Sequence, residues 1–404
     1  MPDPAQPHFI AFISRREEIA DYTGLTPASD FTFASFSDLG GDAIRVDPRC
    51  LGDAIRAFAA LHDRKPFTAV LNRKEKCVVP AARLAAALGL PPIIAEPDLA
   101  RDKYAMRRAL NRGDSFPRTV LIRAACDLAA VDPTMFPCVL KPRFGFNSRG
   151  AVRVADRHEL AAAYGEQHER YAGLTKQDCT GDDFVVEELI PGTEHTVETL
   201  VKDGTPLCHL LSDKLPMTPP YFVEVGDTMP STLPAARQAA CREATERAIR
   251  DLGIHTGWTH TEVKLAGPRA IVVECAARMG GGYFEDLYRE VYGVNRMAML
   301  MALHLGKRPA PEPRARMHAA ARRLVVYGPP RRRTLENAAA LFARDDIRLV
   351  WPARAADIDR ALAGPPFDFN NTLCEFIATG PSAERAATLA NRLMDDARVL
   401  TAAE

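Results

Sequence analysis

The chain has 404 residues, 47% of them hydrophobic and 26% charged, the composition of an ordinary protein that buries a core in two to four folded units. Lysine plus arginine and aspartate plus glutamate both total 52, so no net charge or concentrated basic surface points to a nucleic-acid partner. Nine scattered cysteines without a CxxC pair argue for a reducing setting rather than a disulfide framework.

The segment Met1 to Phe9 is too rich in proline and polar residues for a secretory signal. No apolar run approaches the length needed to cross a bilayer. A cytoplasmic protein without a membrane or nucleic-acid partner is expected, with a homodimer as the default assembly. Apolar runs at His8 to Ser14 and Phe67 to Leu71 read as buried strands. Helical patterns follow them at Leu51 to His62 and Val78 to Leu88, the latter stopped by Gly89 and Pro91. This alternation predicts a small parallel α/β domain over residues 1–98. No GxGxxG follows the first strand, which argues against a dinucleotide site there.

From residue 99 the pattern changes. A basic helix, Arg101 to Arg112, leads into a strand pair at Thr119 to Ile122 and Cys138 to Lys141. Then come a glycine-punctuated loop, Gly145 to Gly150, and strands at Ala151 to Val154, Phe184 to Glu188 and Thr196 to Val201. A helix from Pro234 to Leu252 is predicted to end at Gly253. The proline- and arginine-rich stretch Lys307 to Arg314 has linker composition. Beyond it, strands at Ala320 to Tyr327, Ile347 to Trp351 and Cys374 to Thr379, with helices at Thr334 to Ala343 and Ala383 to Ala397, form a small α+β unit. The basic run Arg331-Arg332-Arg333 reads as a solvated loop.

Two alternating runs flanking Ala266-Gly267-Pro268-Arg269 predict a hairpin. If the loop takes five residues, 266–270, Glu262 and Glu274 stand opposite each other with Cβ atoms about 5 Å apart. Two such carboxylates repel unless a cation lies between them, and hard oxygen ligands suit Mg²⁺. Solvated glutamates on a surface hairpin are the alternative. Arg278, four residues on, then projects toward any anion held there. Lys141 ends an apolar strand, where a bare charge is costly, so it needs a phosphate or a carboxylate partner. The loop from Gly145 to Gly150 has enough glycine to close over phosphates, but Ala151 stands where a Walker A lysine would be, and by itself the loop reads first as a glycine-rich hairpin turn with no ligand. Glu187-Glu188-Leu189-Ile190 leaves a strand into a Pro-Gly turn, freeing backbone groups that could read a base edge, and Glu194 could accept from ribose hydroxyls; in isolation the segment reads first as an acidic turn. Of His195, His255 and His260, each reads first as a structural residue.

In order and spacing these segments resemble the ATP-grasp family, from about residue 68 to 400, and look closest to its branch of dipeptide-forming L-amino-acid ligases. The resemblance implies an α/β and α+β chain with a Rossmann-like pre-ATP-grasp domain at 1–98, a lid subdomain at 99–185, a catalytic core at 186–314 and a C-terminal α+β domain at 315–404. It implies ATP, with Mg²⁺ or Mn²⁺, as cofactors. Asp102-Lys103 and Val139 to Pro142 are similar to the family's two nucleotide lysine segments, Lys103 and Lys141. Gly145 to Gly150, with Ser148, matches the lid, Glu187 to Ile190 the adenine hinge and Glu194 the ribose ligand. Glu262 and Glu274 fall on the magnesium positions, and Arg278 on the arginine beside the reacting phosphoryl group. Glu224, His260, Gly281, Gly282 and Tyr283 would line the substrate side. Many members carry Asn two residues after the second magnesium glutamate, and here that residue is Ala276. Either water completes the metal shell, or nucleotide binds with weakened turnover. The implied activity is amide-bond formation between a small carboxylic or amino acid and an amine, through an acyl-phosphate. A bicarbonate-activating or purine-pathway carboxylase or ligase, and a nucleotide-binding protein without turnover, are the alternatives.

Overall fold

The computed structural model describes residues 7–13, 18–36, 39, 43–47, 50–111, 116–177, 182–217, 221–307, 313–325, 345–351 and 372–401. The chain begins with β1 (Phe9–Phe12), α1 (Ile19–Thr23), β2 (Phe31–Ser35), β3 (Ile44–Arg45), α2 (Leu51–His62), β4 (Ala69–Leu71) and α3 (Val78–Ala87). These four strands form a parallel sheet in the order β3-β2-β1-β4, as the alternation of apolar run and helix predicts. Every residue of β1 is buried, the signature of a parallel strand covered on both faces. On one face Phe12, Val46, Phe58 and Leu84 pack together, and on the other Phe9, Phe31 and Phe33 share a core with Leu200, Trp258 and Tyr288. The strands β2 and β3 had no counterpart in the sequence reading.

The second unit holds α4 (Lys103–Leu110), β5 (Thr119–Ile122), β6 (Cys138–Pro142), β7 (Val152–Val154), α5 (Arg157–Gln177) and β8 (Phe184–Glu188). Asp102 caps α4, its side chain accepting from the N–H groups of Tyr104 and Ala105 at 3.0 and 3.1 Å. The sheet order is β5-β8-β6-β7. The expected pairing of β5 with β6 is therefore not made: β8, returning from more than forty residues later in the chain, lies between them.

The third unit is one eight-stranded sheet. Its elements are β9 (Thr193–Lys202), β10 (Thr205–Lys214), β11 (Gly226–Met229), α6 (Ala235–Asp251), β12 (Gly257–Ala266), β13 (Arg269–Ala276), α7 (Phe284–Tyr292), α8 (Arg296–His304), β14 (His318–Val325), β15 (Ile347–Trp351), β16 (Thr372–Gly380) and α9 (Ala383–Thr401). The order β13-β12-β9-β10-β11-β14-β16-β15 carries β14, β15 and β16 straight on from the preceding strands. The division expected at 314/315 is thus not a division between sheets, and β8 straddles the one expected at 185/186. The expected helix at Thr334 to Ala343 and the basic run at Arg331 lie outside the described residues. Among the described residues no helix is long and apolar enough to cross a membrane.

Side chains alternate across this sheet with a period of two. Val197, Val201, Leu211, Val263 and Leu265 face α6, with Ile249 and Leu252 of that helix. Glu194, Glu198, Lys214, His260, Glu262 and Glu274 occupy the other face. The helix α6 ends as expected, with Gly253 at φ +64°.

The β8–β9 turn depends on another glycine. Gly192 has φ +95°, and a Cβ there would lie 2.0 Å from the carbonyl oxygen of Leu265. Gly192→Ala is expected to destabilise the protein by roughly 2 kcal/mol or more, because both the backbone angle and the close approach forbid a side chain. Chemical denaturation of the purified variant checks this; wild-type stability would contradict it.

Candidate active site

The cleft between the second unit and the polar face of the large sheet encloses about 470 Å³. Lys103, Lys141, Ser148, Glu187, Glu188, Leu189, Ile190, Glu194, Glu224, His260, Glu262, Glu274, Arg278, Gly281 and Gly282 all border it. Tyr283, expected on the substrate side, does not. Its ring is fully buried, and its hydroxyl lies 2.6 Å from both Glu224 and Asp227. It supports the cleft wall from behind.

Glu262 and Glu274 are register partners on β12 and β13, though not by the expected route. The hairpin turn has only two residues, Gly267 and Pro268, with Ala266 paired to Arg269 and Gly267 at φ +60°. A regular ladder from that turn would set Glu262 against Val273. A β-bulge shifts the register, pairing Val263 with Val272 and Glu262 with Glu274, so Val273 is the extra residue. The pair the sequence suggested is present, held by a bulge rather than by a long loop.

Each carboxylate has a lysine. Lys103 Nζ lies 2.8 Å from Glu274 Oε2, and Lys214 Nζ lies 2.6 Å from Glu262 Oε1. Lys214, which the sequence reading missed, also stands 2.9 Å from Glu194 and 3.5 Å from Glu224. Burial would drive its proton off, but these acids raise its pKa well above the ordinary lysine value. Glu262 is pushed up by burial and held down more strongly by Lys214 and His260. Glu194 is raised, because burial outweighs Lys214. The lysine at the end of β10 could have been noticed, since Lys214 shares the strand parity of the buried Leu210 and Ser212.

A divalent cation fits the chemistry of this pair: two opposed hard-oxygen donors on neighbouring strands. Among the described residues no group of three His, Cys, Asp or Glu side chains stands at metal-ligating spacing. Ala276, across the ladder from His260, offers no donor.

Lys141 finds a carboxylate, Glu187, at 3.0 Å. Glu187 also receives buried Arg107 at 2.7 Å, and these cations bring its carboxyl down to about 2 against the effect of burial. The Glu188 side chain turns to Arg118 at 2.6 Å. The N–H groups of Glu188 and Leu189 bond the carbonyls of Arg118 and Pro137 at 3.1 and 3.3 Å, so the turn leaves fewer backbone groups free than expected. In the loop above, Asn147 and Ser148 have φ of 55° and 53°. The Phe146 ring there lies under the cations of Lys76, Arg101 and Arg149 at 5.2–5.9 Å from its centroid.

Arg278 is bound by Glu75, a residue of the N-terminal unit that the sequence reading also missed. Arg101 holds the other Glu75 oxygen at 2.8 Å. Burial alone would raise the Glu75 carboxyl, but the two guanidinium groups lower it to about 2. His260 Nδ1 lies 2.6 Å from Glu198, which takes Arg296 at 2.5 Å and the Gly280 N–H at 2.8 Å. Of the other histidines, His195 pairs with Asp213 on the α6 face and His255 lies near exposed Asp203. Only His260 reaches the cleft.

Residues 134–286 match the family model described as ATP-grasp domain. Carnosine synthase 1 of Gallus gallus is 36% identical over 189 residues, covering 44% of this chain and 20% of the relative. Alanine–anticapsin ligase of Bacillus subtilis is 26% identical over 251 residues, covering 58% and 53%. This chain therefore spans between a fifth and about half the length of these curated relatives. The solved L-amino acid ligase from Bacillus licheniformis superposes with a TM-score of 0.74 at 24% identity, over 96% of this chain and 98% of that one. The chain carries an ATP-grasp domain and has the ATP-grasp fold.

Glu75 carries a pH prediction. Its carboxyl is depressed in the folded state, so its contribution is complete above the unfolded value of about 4.3 and is lost as pH falls toward 2. The melting-temperature gap between wild type and Glu75→Gln is expected to be constant from pH 7 to 5.5 and to narrow steadily by pH 3. A gap that widens on acidification would contradict the ion-pair account.

Proposed function

We propose that this chain is an ATP-dependent carboxylate–amine ligase that forms an amide bond between an amino acid or small carboxylic acid and an amine, releasing ADP and phosphate. One observation carries the reading: a single cleft joins two opposed carboxylates, two lysines from the second unit and a half-buried arginine at the end of the same hairpin. The relatives named as ligases support the class, not the substrates.

In this reading Lys103 and Lys141 anchor the ATP phosphates, and the loop with Ser148 closes over them. Glu187 to Ile190 border the base and Glu194 the ribose. Glu262 and Glu274 would hold Mg²⁺ or Mn²⁺, which would supply the charge that neutralises phosphate oxygens. A substrate carboxylate oxygen forms a bond to the γ-phosphorus as the bond to the β–γ bridging oxygen breaks, its electron pair leaving with ADP. Such a transfer depends mainly on positioning and charge stabilisation. Arg278, steered by Glu75, faces the transferring group and the later oxyanion. The amine nitrogen then bonds the acyl carbon, phosphate leaves, and the ammonium proton passes to solvent. Closure of the loop keeps water from the acyl-phosphate. Glu224, His260, Gly281 and Gly282 border the end where the amine would enter.

The test is a coupled ADP-release assay over pairs of amino acids and small carboxylic acids, with product masses measured. A pair giving ADP and a product of condensed mass supports the reading, and response to bicarbonate alone overturns it. Glu274→Ala is expected to lose ADP release by a factor of about a hundred or more while keeping its fold by circular dichroism. Full turnover would remove that residue from the metal site.

A further inference from the structure

Helix α4 meets strand β13 from two sides. Its first residue, Lys103, bonds the Glu274 carboxylate from the cleft. One turn later Arg107, only 3% exposed, reaches the backbone of the same strand from behind. Arg107 Nη1 donates to the Val272 carbonyl at 2.8 Å and Nη2 to the Val273 carbonyl at 2.9 Å. The same guanidinium donates from Nε to Glu187 Oε2 at 2.7 Å and from Nη2 to Oε1 at 3.4 Å.

Consecutive carbonyls of a regular strand point to opposite sides. Here two in succession point at one side chain, and the second belongs to Val273, the extra residue of the bulge. Among the described residues β13 is at the edge of its sheet, with no further strand to take them. The planar fork of an arginine suits two adjacent carbonyls and a carboxylate together, whereas a lysine ammonium offers only a point of charge. Met106, the preceding residue, accepts from the Cys275 N–H at 3.5 Å, so α4 backs the strand on both sides of Glu274.

We propose that Arg107 is a positioning residue for both halves of the nucleotide site: it pins the bulge that sets Glu274 opposite Glu262, and through Glu187 it sets the ammonium of Lys141. The inference rests on the ligase reading above. Arg107 touches neither substrate nor the reacting atoms; it acts through Glu274 and Lys141. Its slot also borders a second cavity, about 530 Å³, which opens behind the cleft between α4, α6 and the β12–β13 hairpin. A small guanidinium compound can therefore reach the place the side chain leaves.

The test measures Mn²⁺ binding in the presence of AMP-PNP, by the electron paramagnetic resonance signal of free Mn²⁺. Arg107→Ala and Arg107→Lys are expected to weaken Mn²⁺ binding about ten-fold or more, the usual scale for losing an outer-shell partner of a metal ligand. Ethylguanidinium is expected to restore much of that affinity in Arg107→Ala and to leave wild type unchanged. Folded variants that bind Mn²⁺ and AMP-PNP like wild type, with only a lowered melting temperature, would overturn the proposal. If Arg107→Ala does not fold, isosteric Glu187→Gln tests the second arm: AMP-PNP binding is expected to weaken about ten-fold, and unchanged binding would overturn that arm. Wild type that neither binds AMP-PNP nor releases ADP would sink the ligase reading instead.

Discussion

Two carboxylates facing each other on neighbouring strands repel wherever water is thinned out, and the cleft is arranged around that repulsion. Glu262 and Glu274 each have their own lysine, from β10 and from the start of α4. Leaving a buried or half-buried acid unpaired costs several kcal/mol, so neither lysine is an optional decoration. Lys214 shows the constraint most directly. It is buried yet charged, because three glutamates surround it. Lys264 is the register partner of Glu194 on β12, and Lys214 of β10 bonds the same acid at 2.9 Å, so the charges alternate in sign.

The same arrangement recurs further out, where a carboxylate sits between two cations. Glu187 lies between Lys141 and Arg107 and Glu75 between Arg278 and Arg101, while Glu198 takes Arg296 on one oxygen and the His260 ring on the other. For Glu187 and Glu75 one cation, Lys141 or Arg278, borders the cleft, and the other, Arg107 or Arg101, holds the acid from outside it. Such pairs contribute little to net stability when the desolvation of both ions is counted. What they supply is orientation: a charged group held in place needs no rearrangement when charge moves beside it. Because Glu75 comes from the N-terminal unit, the placement of Arg278 depends on how that unit docks.

Local pattern in the sequence carried much of this, and long-range geometry did not. The alternating runs around Gly267 marked the hairpin, and the parity of Glu262 and Glu274 put them on one face. An extra residue at Val273 leaves no trace in a run as short as Ala270 to Cys275, so the turn length was misjudged while the pairing was right. The place of β8 between β5 and β6 was equally hidden, since either neighbour satisfies the apolar pattern of β6. Lys141 was legible because a charged residue at the end of an apolar run needs a partner, Arg278 from its spacing four residues past Glu274, and Lys103 only through the family resemblance. Glu75, Glu198 and Arg107 were not: their partners Arg278, His260 and Glu187 lie 203, 62 and 80 residues away in the chain.

The glycines after β13 follow from the same charges. A Cβ on Gly280 would come within 2.5 Å of Glu198 Oε1 and 2.7 Å of His260 Nδ1, the two atoms that bond each other there. One on Gly282 would meet Arg323 Nη2 at 3.0 Å, from a backbone at φ +60° that already disfavours a side chain. The Gly280 N–H and carbonyl are themselves used, by Glu198 and by Arg296 at 3.0 Å. A buried ion pair this close needs backbone donors and acceptors to complete its hydrogen bonds, and only a chain without side chains can approach it. Gly280 and Gly282 are thus a consequence of packing charge against charge, whereas a Cβ on Gly281 between them would meet open space.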